Sequence, residues 1–349
     1  HTHYSNLIFR DSTNKTTDLI NKAIELGHGG VGITDHGVIS SHVEAIQHMK
    51  ELKQDDPSLD FKLGLGCELY LVHREEVDKA RENQLYTRFY HFIVIAKNRR
   101  GYEILKELSS RGWHNSFVYK NVMRTPIYYE DLIEILKNNK GDLVASSACL
   151  GSELSHLVLD AANELDAGGK ESTGFKEAHI KILNHLKLMK NLFGDDYYIE
   201  LQPSHSTDQV KYNSLVLGYA KLTGIKPIIT TDSHYLRPEN RLTHTAFLKA
   251  QEAERETDSF YATTYLMTID EIRSYCEYME EEEFAACINN TEEIRNKIEE
   301  FDLYDSTKVP SAKTIKFDKD YISTINLYTT EKYDYIRKFI FSEHEIDKI

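Results

Sequence analysis

Ligand-type side chains follow one apolar, β-type run after another in this sequence. Asp35 and His36 follow GGVGIT, Glu68 follows KLGLGC, Cys149 follows DLVASSA, Asp232 and His234 follow PIITT, His91 opens HFIVIA, and His1 is the first residue. Imidazole, thiolate and carboxylate ligands together suit Zn²⁺, Mn²⁺ or Fe²⁺, whereas Mg²⁺ and Ca²⁺ sites consist almost wholly of oxygen ligands. The set therefore predicts a transition-metal site, provided that the fold brings these residues together.

Helices and strands that could do so alternate along the chain as far as residue 235. Leu19, Ile20 and Ala23 recur at helical spacing, Gly27 stops that helix, and VGIT follows as a strand. Further helices are predicted over 43–52, 101–110, 129–136, 179–192 and 212–222, and strands over 63–72, 91–98, 142–149, 197–202 and 226–231. This alternation predicts a parallel α/β sheet, either a barrel or a doubly wound layer. Ligand types on at least five strands favour the barrel, because a barrel brings strand ends onto one face.

Composition gives the class of protein. The chain has 349 residues, of which 40% are hydrophobic and 28% charged, as in an ordinary globular protein with a substantial core. It has no apolar run of about 18 residues and no signal-like N-terminus, so we expect a cytoplasmic protein that does not span a membrane. After Leu236 the sequence becomes helix-rich and acidic. We expect a barrel domain over residues 1–270 and a helical extension over residues 271–349.

Charge restricts where a nucleic acid could bind. The formal net charge of −14 argues against the whole surface acting as a nucleic-acid platform, because phosphate binding requires clustered Lys and Arg. The segment 97–124 has the opposite sign and interleaves basic residues with aromatic ones, a pattern that suits a single strand. Arg99, Arg100 and Arg111 are its candidate DNA-binding residues. The alternative is a solvated helix and loop with a few core aromatic residues.

Other histidines and cysteines fit ordinary structural roles better. His42, His48, His179 and His185 are predicted on exposed helix faces, and Cys67 is predicted to point into the core, opposite to Glu68. For His205 and His244 the sequence leaves both a structural and a functional role open. The sequence contains no phosphate-binding Gly-x-x-x-x-Gly-Lys-Ser/Thr loop and no Gly-x-Ser-x-Gly nucleophile motif. Metal-assisted hydrolysis is the leading class of enzyme.

Several of these segments resemble the PHP (polymerase and histidinol phosphatase) domain. HTHYS resembles the end of the motif His-x-His-Thr-x-Tyr-Ser, with His1 as its second histidine, and ITDHGVIS resembles the Thr-Asp-His motif. GCELYLV, HFIVIAKNRRGYEIL, ASSACLGSEL, YYIELQ, TTDSHYL, TYLMTIDEI and NTEEIRNKIEEFDL resemble, in this order, the N-terminal region of bacterial-type, C-family DNA polymerase III alpha subunits. The resemblance implies a distorted (β/α)7, TIM-like barrel with a C-terminal helical extension that leads toward a polymerase palm beyond this chain.

The resemblance also implies the ligands of two or three divalent transition-metal ions, Zn, Mn or Fe. These ligands are His1, Asp11, His36, Glu68, His91, Cys149, Asp232 and His234. Glu68 would bridge two ions, and Asp35 would orient His36 from beside the cluster. Glu68, Asp232 and His234 are the expected catalytic residues, and either of the last two could pass protons.

The function implied by the resemblance is hydrolysis of DNA phosphodiesters within a DNA replication enzyme. We expect a 3′-5′ proofreading exonuclease that acts on a single-stranded 3′ end. The expected partners are DNA, the rest of the polymerase and the replisome clamp. Two alternatives remain: a stand-alone phosphatase of the histidinol-phosphate type, and a non-catalytic module whose metal ions brace the polymerase.

Overall fold

Two sheets and eleven helices make up the described part of the protein, which is a computed structural model covering residues 1–83, 87–119, 122–250 and 260–304. The strands are β1 (Gly30–Ile33), β2 (Lys62–Val72), β3 (Tyr90–Ala96), β4 (Phe117–Tyr119), β5 (Val122–Arg124), β6 (Pro126–Tyr128), β7 (Leu143–Ser146), β8 (Tyr197–Leu201) and β9 (Pro227–Ile229). The helices are α1 (Thr16–Glu25), α2 (His42–Asp55), α3 (Arg74–Asn83), α4 (Arg99–His114), α5 (Tyr129–Leu136), α6 (Glu153–Gly168), α7 (Thr173–Phe193), α8 (Thr207–Thr223), α9 (Arg241–Lys249), α10 (Ile269–Tyr275) and α11 (Glu281–Lys297). Short 3-10 helices span His3–Leu7, Gly194–Asp196, Pro238–Asn240 and Phe260–Thr263.

The large sheet is a curled, barrel-like sheet of seven strands, which confirms the predicted α/β class. Its order is β1-β2-β3-β7-β8-β9, with β6 paired to β2. One feature differs from the predicted parallel sheet, because β3 runs antiparallel to both β2 and β7. After β2 the chain returns to the sheet at the end where β2 finishes, and β3 begins there. The N-terminal end of β3 therefore lies beside the C-terminal ends of its neighbours.

Strand side chains alternate between two faces of this sheet, as the period of two requires. One face packs against the helices and forms the main hydrophobic core. From β2 and β3 it receives Leu65, Cys67, Leu69, Leu71, Phe92, Val94 and Ala96. The other face encloses a cavity of about 520 Å³, whose lining includes Gly32, Gly64, Ile95, Val144 and Ile228. Cys67 thus lies in the core as predicted, and Glu68 faces the other way.

Helix α11 connects β1 and β9, the two strands at the ends of the large sheet, which do not pair with each other. Asn290 donates a hydrogen bond to the Pro227 carbonyl on β9 at 2.7 Å, and Arg295 donates one to the Gly29 carbonyl beside β1 at 2.8 Å. Ile294 and Ile298 line the cavity at this end. The chain forms one compact unit over His1–Leu303, which includes α10 and α11. The division predicted after residue 270 stays a prediction, and residues 305–349 lie outside the described part.

Two histidines lie in surroundings that differ from the predicted exposed helix faces. His42 is completely buried, its Nε2 lies 2.9 Å from the Gly66 carbonyl oxygen, and burial lowers its pKa to about 4. The His185 side chain is only 9% exposed, and its Nδ1 lies 3.5 Å from a carboxylate oxygen of Glu153. Both predictions were wrong because α2 and α7 pack against the sheet and against other helices, α1 and α6 respectively, through more of their surface than the apolar stripe indicates.

Within the described residues, no helix combines the length and apolar character needed to cross a membrane.

A pair of helical glycines tests how tightly this fold is packed. A Cβ atom at Gly101 in α4 would lie 2.0 Å from the Asp142 carbonyl oxygen, whereas one at Gly218 in α8 would meet no atom within 4 Å. We expect Gly101→Ala to destabilise the protein by about 1–3 kcal/mol or more through overpacking. Gly218→Ala should stabilise it by about 0.5–1 kcal/mol, because alanine favours the helix. Urea unfolding would measure both, and shifts of the same sign would contradict this packing.

Candidate metal centre

The buried carboxylate of Glu68 lies at the centre of a cluster of imidazoles. Glu68 is 1% exposed. Its oxygens lie 2.9 Å from Nδ1 of His36, 2.8 Å from Nδ1 of His91 and 3.3 Å from Nε2 of His1. These residues come from the middle of β2, the start of β3, the segment after β1 and the beginning of the chain. The antiparallel direction of β3 explains how a residue that opens a strand joins residues that follow strands.

Two further carboxylates extend the cluster on either side. Asp11 lies 3.1 Å from Nε2 of His36 and 3.7 Å from Nε2 of His234. Asp232 lies 3.0 Å from Nε2 of His1. The rings of His1 and His36 are stacked with centroids 4.0 Å apart. Donor atoms within 4.8 Å of one another form two groups that could each hold an ion, namely His1, His36 and His234, and His1, Glu68 and Asp232.

Cys149 joins the cluster through His91. Its sulfur lies 3.4 Å from Nδ1 of His91, and the backbone of Gly151 approaches the same ring so closely that an added Cβ would lie 2.9 Å from it. Burial, with the nearby charges of Asp232 and Glu68, raises the pKa of the Cys149 thiol well above its usual value. The structure therefore brings together all eight residues that the resemblance implied as ligands, and their role in binding metal stays a prediction.

Strained backbone marks three of the turns that place these residues. In the described ranges, the non-glycine residues with positive φ are Arg10 at 52°, Ala148 at 58° and Asp232 at 46°. Arg10 precedes Asp11, Ala148 precedes Cys149, and Asp232 is itself a cluster residue. A non-glycine residue in this region is destabilised by roughly 1–3 kcal/mol and persists where the surroundings enforce it. The coincidence indicates that turn geometry here serves the site.

Asp35 holds the segment that carries His1. Its carboxylate accepts hydrogen bonds from the Thr2 amide at 2.6 Å and from the hydroxyls of Ser5 at 2.9 Å and Ser41 at 2.5 Å. Ser5 Oγ in turn lies 3.3 Å from Nδ1 of His1. Asp35 thus lies beside the cluster as expected, but it orients the His1 segment, whereas the ring nitrogens of His36 face Glu68 and Asp11.

Opposite charges stabilise one another inside this cluster. Burial alone would raise the pKa of Glu68, but the charges of His91, His36 and His1 outweigh it and hold that pKa well below its usual value. Burial alone would likewise lower the pKa of His91, yet the carboxylate of Glu68 raises it. The same balance raises the pKa of His1 and of His36. Without a metal ion, the neighbouring carboxylates therefore favour the protonated forms of His1, His36 and His91.

Sequence reasoning missed two residues of the site. Tyr70 lies two positions after Glu68 on β2, and its hydroxyl is 2.5 Å from Nδ1 of His36 and 3.3 Å from Glu68. Its position two residues from a ligand type on the same strand was the signal. Glu200 on β8 is buried, accepts hydrogen bonds from the hydroxyls of Ser146 and Thr230, and has a pKa raised by burial. Its signal was an acid at the end of an apolar run.

The two histidines left open by the sequence now have positions. His244 is buried and its Nε2 lies 2.7 Å from the Asp11 carbonyl oxygen, so it supports the backbone at Asp11. His205 is exposed and its ring packs against Tyr275.

The three arginines with a predicted DNA-binding role lie on α4 and contact other groups of the chain. Arg99 contacts Glu103 at 3.2 Å, Arg100 contacts Asp142 at 3.3 Å, and Arg111 contacts Asp131 at 2.9 Å. Their role in binding DNA stays a prediction.

This strand-end cluster on a curled α/β sheet is a candidate metal site, and the family of the chain follows from comparison with known proteins. The family model described as the PHP domain matches residues 1–204, so the chain belongs to the PHP domain family. It is 36% identical over 353 aligned residues to a DNA-directed DNA polymerase of Bacillus phage SPbeta, covering 100% of this chain and 26% of that protein. It is 31% identical over 255 residues to DNA polymerase III subunit alpha of Aquifex aeolicus, covering 72% of this chain and 19% of that protein.

The chain therefore spans about a quarter of the length of the phage relative. Among solved structures, an amidohydrolase from Chromobacterium violaceum aligns with 64% of this chain and 84% of its own at 13% sequence identity and a TM-score of 0.31.

The donor set fits divalent transition metals. Four imidazoles, three carboxylates and a thiol lie buried or nearly so at one end of the sheet. A mixture of nitrogen, oxygen and sulfur donors is the set that Zn²⁺, Mn²⁺ or Fe²⁺ prefers. The two groups of converging donors share His1, which places it between the candidate positions.

Removing the central charge should empty the site. We expect the wild-type chain to bind more than one Zn, Mn or Fe ion, and Glu68→Gln to lose at least one of them, since the amide replaces a carboxylate shared by three imidazoles. The loss of affinity should exceed the roughly 10–100-fold that removal of an outer partner causes. Elemental analysis after metal loading measures this. His114→Ala, at an exposed position of α4, is the control, and equal metal content in both variants would contradict the site.

Metal binding should release protons at neutral pH. His1, His36 and His91 have pKa values raised above the ordinary 6.5 when no ion is bound, so an ion must displace their protons. The apparent affinity should therefore rise as pH increases from about 6 to about 8. Calorimetric titration in two buffers with different ionisation enthalpies counts the protons released. Affinity that is flat or falls over this interval would contradict the protonated state derived for the metal-free cluster.

Proposed function

We propose that this chain is the N-terminal PHP region of a DNA polymerase III alpha-type enzyme and hydrolyses DNA phosphodiesters from a single-stranded 3′ end. The observation that carries the proposal is the buried cluster in which Glu68 is shared by His1, His36 and His91. Support for a nucleic-acid substrate comes from the similarity of the chain to DNA polymerases over its full length. Proofreading during replication is the role that this activity would serve.

The proposed ions would be held by the eight clustered residues. Bound divalent ions polarise a phosphoryl oxygen, lower the pKa of water and stabilise charge on the leaving oxygen. The contribution of the chain itself is to fix the donors before substrate binds. Glu68 keeps three imidazoles in place, while Asp35 fixes the segment of His1 through Thr2 and Ser5.

Proton transfer is the second task that the chain must perform. His234 has Nδ1 2.7 Å from the backbone carbonyl of Asp232, so this nitrogen carries the hydrogen and Nε2 faces Asp11. The oriented Nε2 can accept a proton or bind an ion. Tyr70 lies close enough to His36 and Glu68 to donate a hydrogen bond into the cluster, and burial together with the nearby charge of Glu68 raises its pKa well above the usual value. It therefore keeps its proton at neutral pH.

The proposed partners follow from the length of the relatives. Because the chain spans 26% of the phage polymerase, nucleotidyl transfer and contact with a replisome clamp would belong to residues beyond it. The PHP site would then act on the strand that the remaining polymerase extends.

Hydrolysis of labelled oligonucleotides tests the proposal. A single-stranded oligonucleotide with a 5′ label should be shortened stepwise from its 3′ end, and a circular single strand should remain intact. EDTA should abolish the reaction, and Asp232→Asn should reduce it by at least about 100-fold because a charged donor is lost while asparagine still tolerates the positive φ. His114→Ala should retain full activity.

Other outcomes of the same experiment identify the alternatives. Hydrolysis of a phosphate monoester without degradation of the oligonucleotide would favour a small-molecule phosphatase. A fully metal-loaded chain that cleaves neither substrate would favour a bracing role for the ions. Cleavage of the circular strand would contradict the exonuclease proposal.

A further inference from the structure

A continuous run of aromatic rings leads from the metal centre to the hairpin formed by β4 and β5. It begins at Phe9, whose ring centroid lies 4.8 Å from that of His36 and 6.0 Å from that of His91. Phe9 therefore contacts two proposed ligands from outside the cluster. The two residues that follow it in sequence are the exposed Arg10 and the buried Asp11. The start of the run is thus fixed to the site by the same segment that supplies a ligand.

An arginine connects the first ring to the next. The guanidinium carbon of Arg124 lies 5.4 Å from the ring centroid of Phe9 and also 5.4 Å from that of Phe89. Phe89 then continues to Phe117 and Tyr119, with centroids 6.0 and 6.2 Å away. Cations within about 6 Å of ring faces attract the rings, so Arg124 fixes Phe9 and Phe89 in one continuous arrangement.

The register of the hairpin explains why these groups share a face. Phe117 is paired with Arg124, and Val118 is paired with Met123. Because side chains alternate along each strand, Phe117, Tyr119 and Arg124 lie on one face of the ribbon. Val118 and Met123 lie on the other face, and they are 66% and 38% exposed, respectively.

The rings of this run are accessible to a binding partner. Phe9, Phe89, Phe117 and Tyr119 are all partly exposed. Phe89 and Phe117 pack on one side against the small cluster of Val72, Val77 and Tyr128, so their rings are supported from below. Arg10 and Arg88 are exposed beside the run. Supported rings with adjacent cations are the combination that binds single strands, with bases on rings and phosphates on cations.

We propose that Phe9, Phe89, Phe117 and Arg124 form a platform that binds the single-stranded end of a nucleic acid and directs it to the metal centre. This inference rests on the proposed function and adds the residues that hold its substrate. It places the strand on the hairpin and beside the ligands His36 and His91. The earlier candidates Arg99, Arg100 and Arg111 lie on α4 and contact carboxylates.

Binding without catalysis tests the platform directly. The double variant Phe89→Leu with Phe117→Leu keeps apolar volume and removes both rings, so it should retain the fold. In EDTA, the Kd for a fluorescent single-stranded oligonucleotide, measured by anisotropy, should rise about 10- to 100-fold. Phe175→Leu, at a partly buried position of α7, is the control. It should leave the Kd within about twofold, since the Phe175 ring lies outside the proposed platform and should not stack on bases of the oligonucleotide.

The arginine is tested by salt dependence. Arg124→Gln should make the slope of log affinity against log salt shallower by roughly 0.7 to 1, because one phosphate contact is lost. Lys211→Gln is the matched control, since Lys211 is a partly exposed cation on α8 that contacts Asp166 at 2.8 Å. An unchanged slope for Arg124→Gln would overturn the role of this residue.

The remaining outcomes separate this inference from the proposed function. Unchanged or equally weakened binding in the double variant and the Phe175 control would overturn the platform, as would a larger loss on replacing Arg99, Arg100 and Arg111 together with glutamine. Hydrolysis of a small chromogenic phosphodiester, which requires only the metal centre, should be retained in the Phe175 control. If the wild-type chain binds the oligonucleotide through these rings but hydrolyses neither substrate, the exonuclease proposal fails and the platform stands.

Discussion

A carboxylate removed from water requires compensating charge. Glu68 is such a carboxylate, and the fold must bring positively charged partners to it. With 1% exposure and three imidazole nitrogens within 3.3 Å, it is stable only if His1, His36 and His91 arrive from three separate segments. Burial of a charge is strongly unfavourable unless it is paired and hydrogen-bonded. The curled sheet, the reversed strand β3 and the strained turns all serve to bring these partners to one place.

The space beneath the cluster gives it little mechanical support. In a filled barrel, branched side chains occupy the interior in layers, but here Gly32 and Gly64 face inward and a cavity of about 520 Å³ remains. The positions of the proposed ligands must therefore be fixed by the loops and turns around the cluster, because side chains inside the sheet do not fill the space next to it. Hydrogen bonds through Asp35 and the positive-φ turns at Ala148 and Asp232 provide this support. Such support is directional, which a catalytic site requires.

Sequence periodicity predicted the elements of this fold well and their directions less well. The helix over residues 129–136 and the strand that carries Glu68 lie where the apolar pattern placed them, and the strand predicted over 142–149 forms as the shorter β7, which ends before Cys149. Periodicity contains no information on whether a strand runs up or down, so β3 could not be recognised as antiparallel. Helix α6 was not predicted, and the buried positions of His42 and His185 depend on tertiary contacts that no local pattern encodes.

The candidate site was predicted in the same uneven way. Ligand types at strand ends, with the family resemblance, pointed to the eight residues that the structure gathers. Residues whose role depends on a neighbour rather than on their own type were harder to find. Tyr70 and Glu200 required knowledge of which face of the strand is inward, and Phe9 required the fold of the segment before Asp11.

The bridge made by α11 has a consequence for anyone who divides this protein into parts. Strands β1 and β9 end the hydrogen-bonded path of the large sheet within the described residues, and an uncovered edge strand is a template for association with other chains. Asn290 and Arg295 bind the backbone beside these two edges, and Ile294 and Ile298 line the cavity between them. A chain shortened to residue 270 would expose both edges and the cavity together, so aggregation rather than a smaller soluble domain is the expected product.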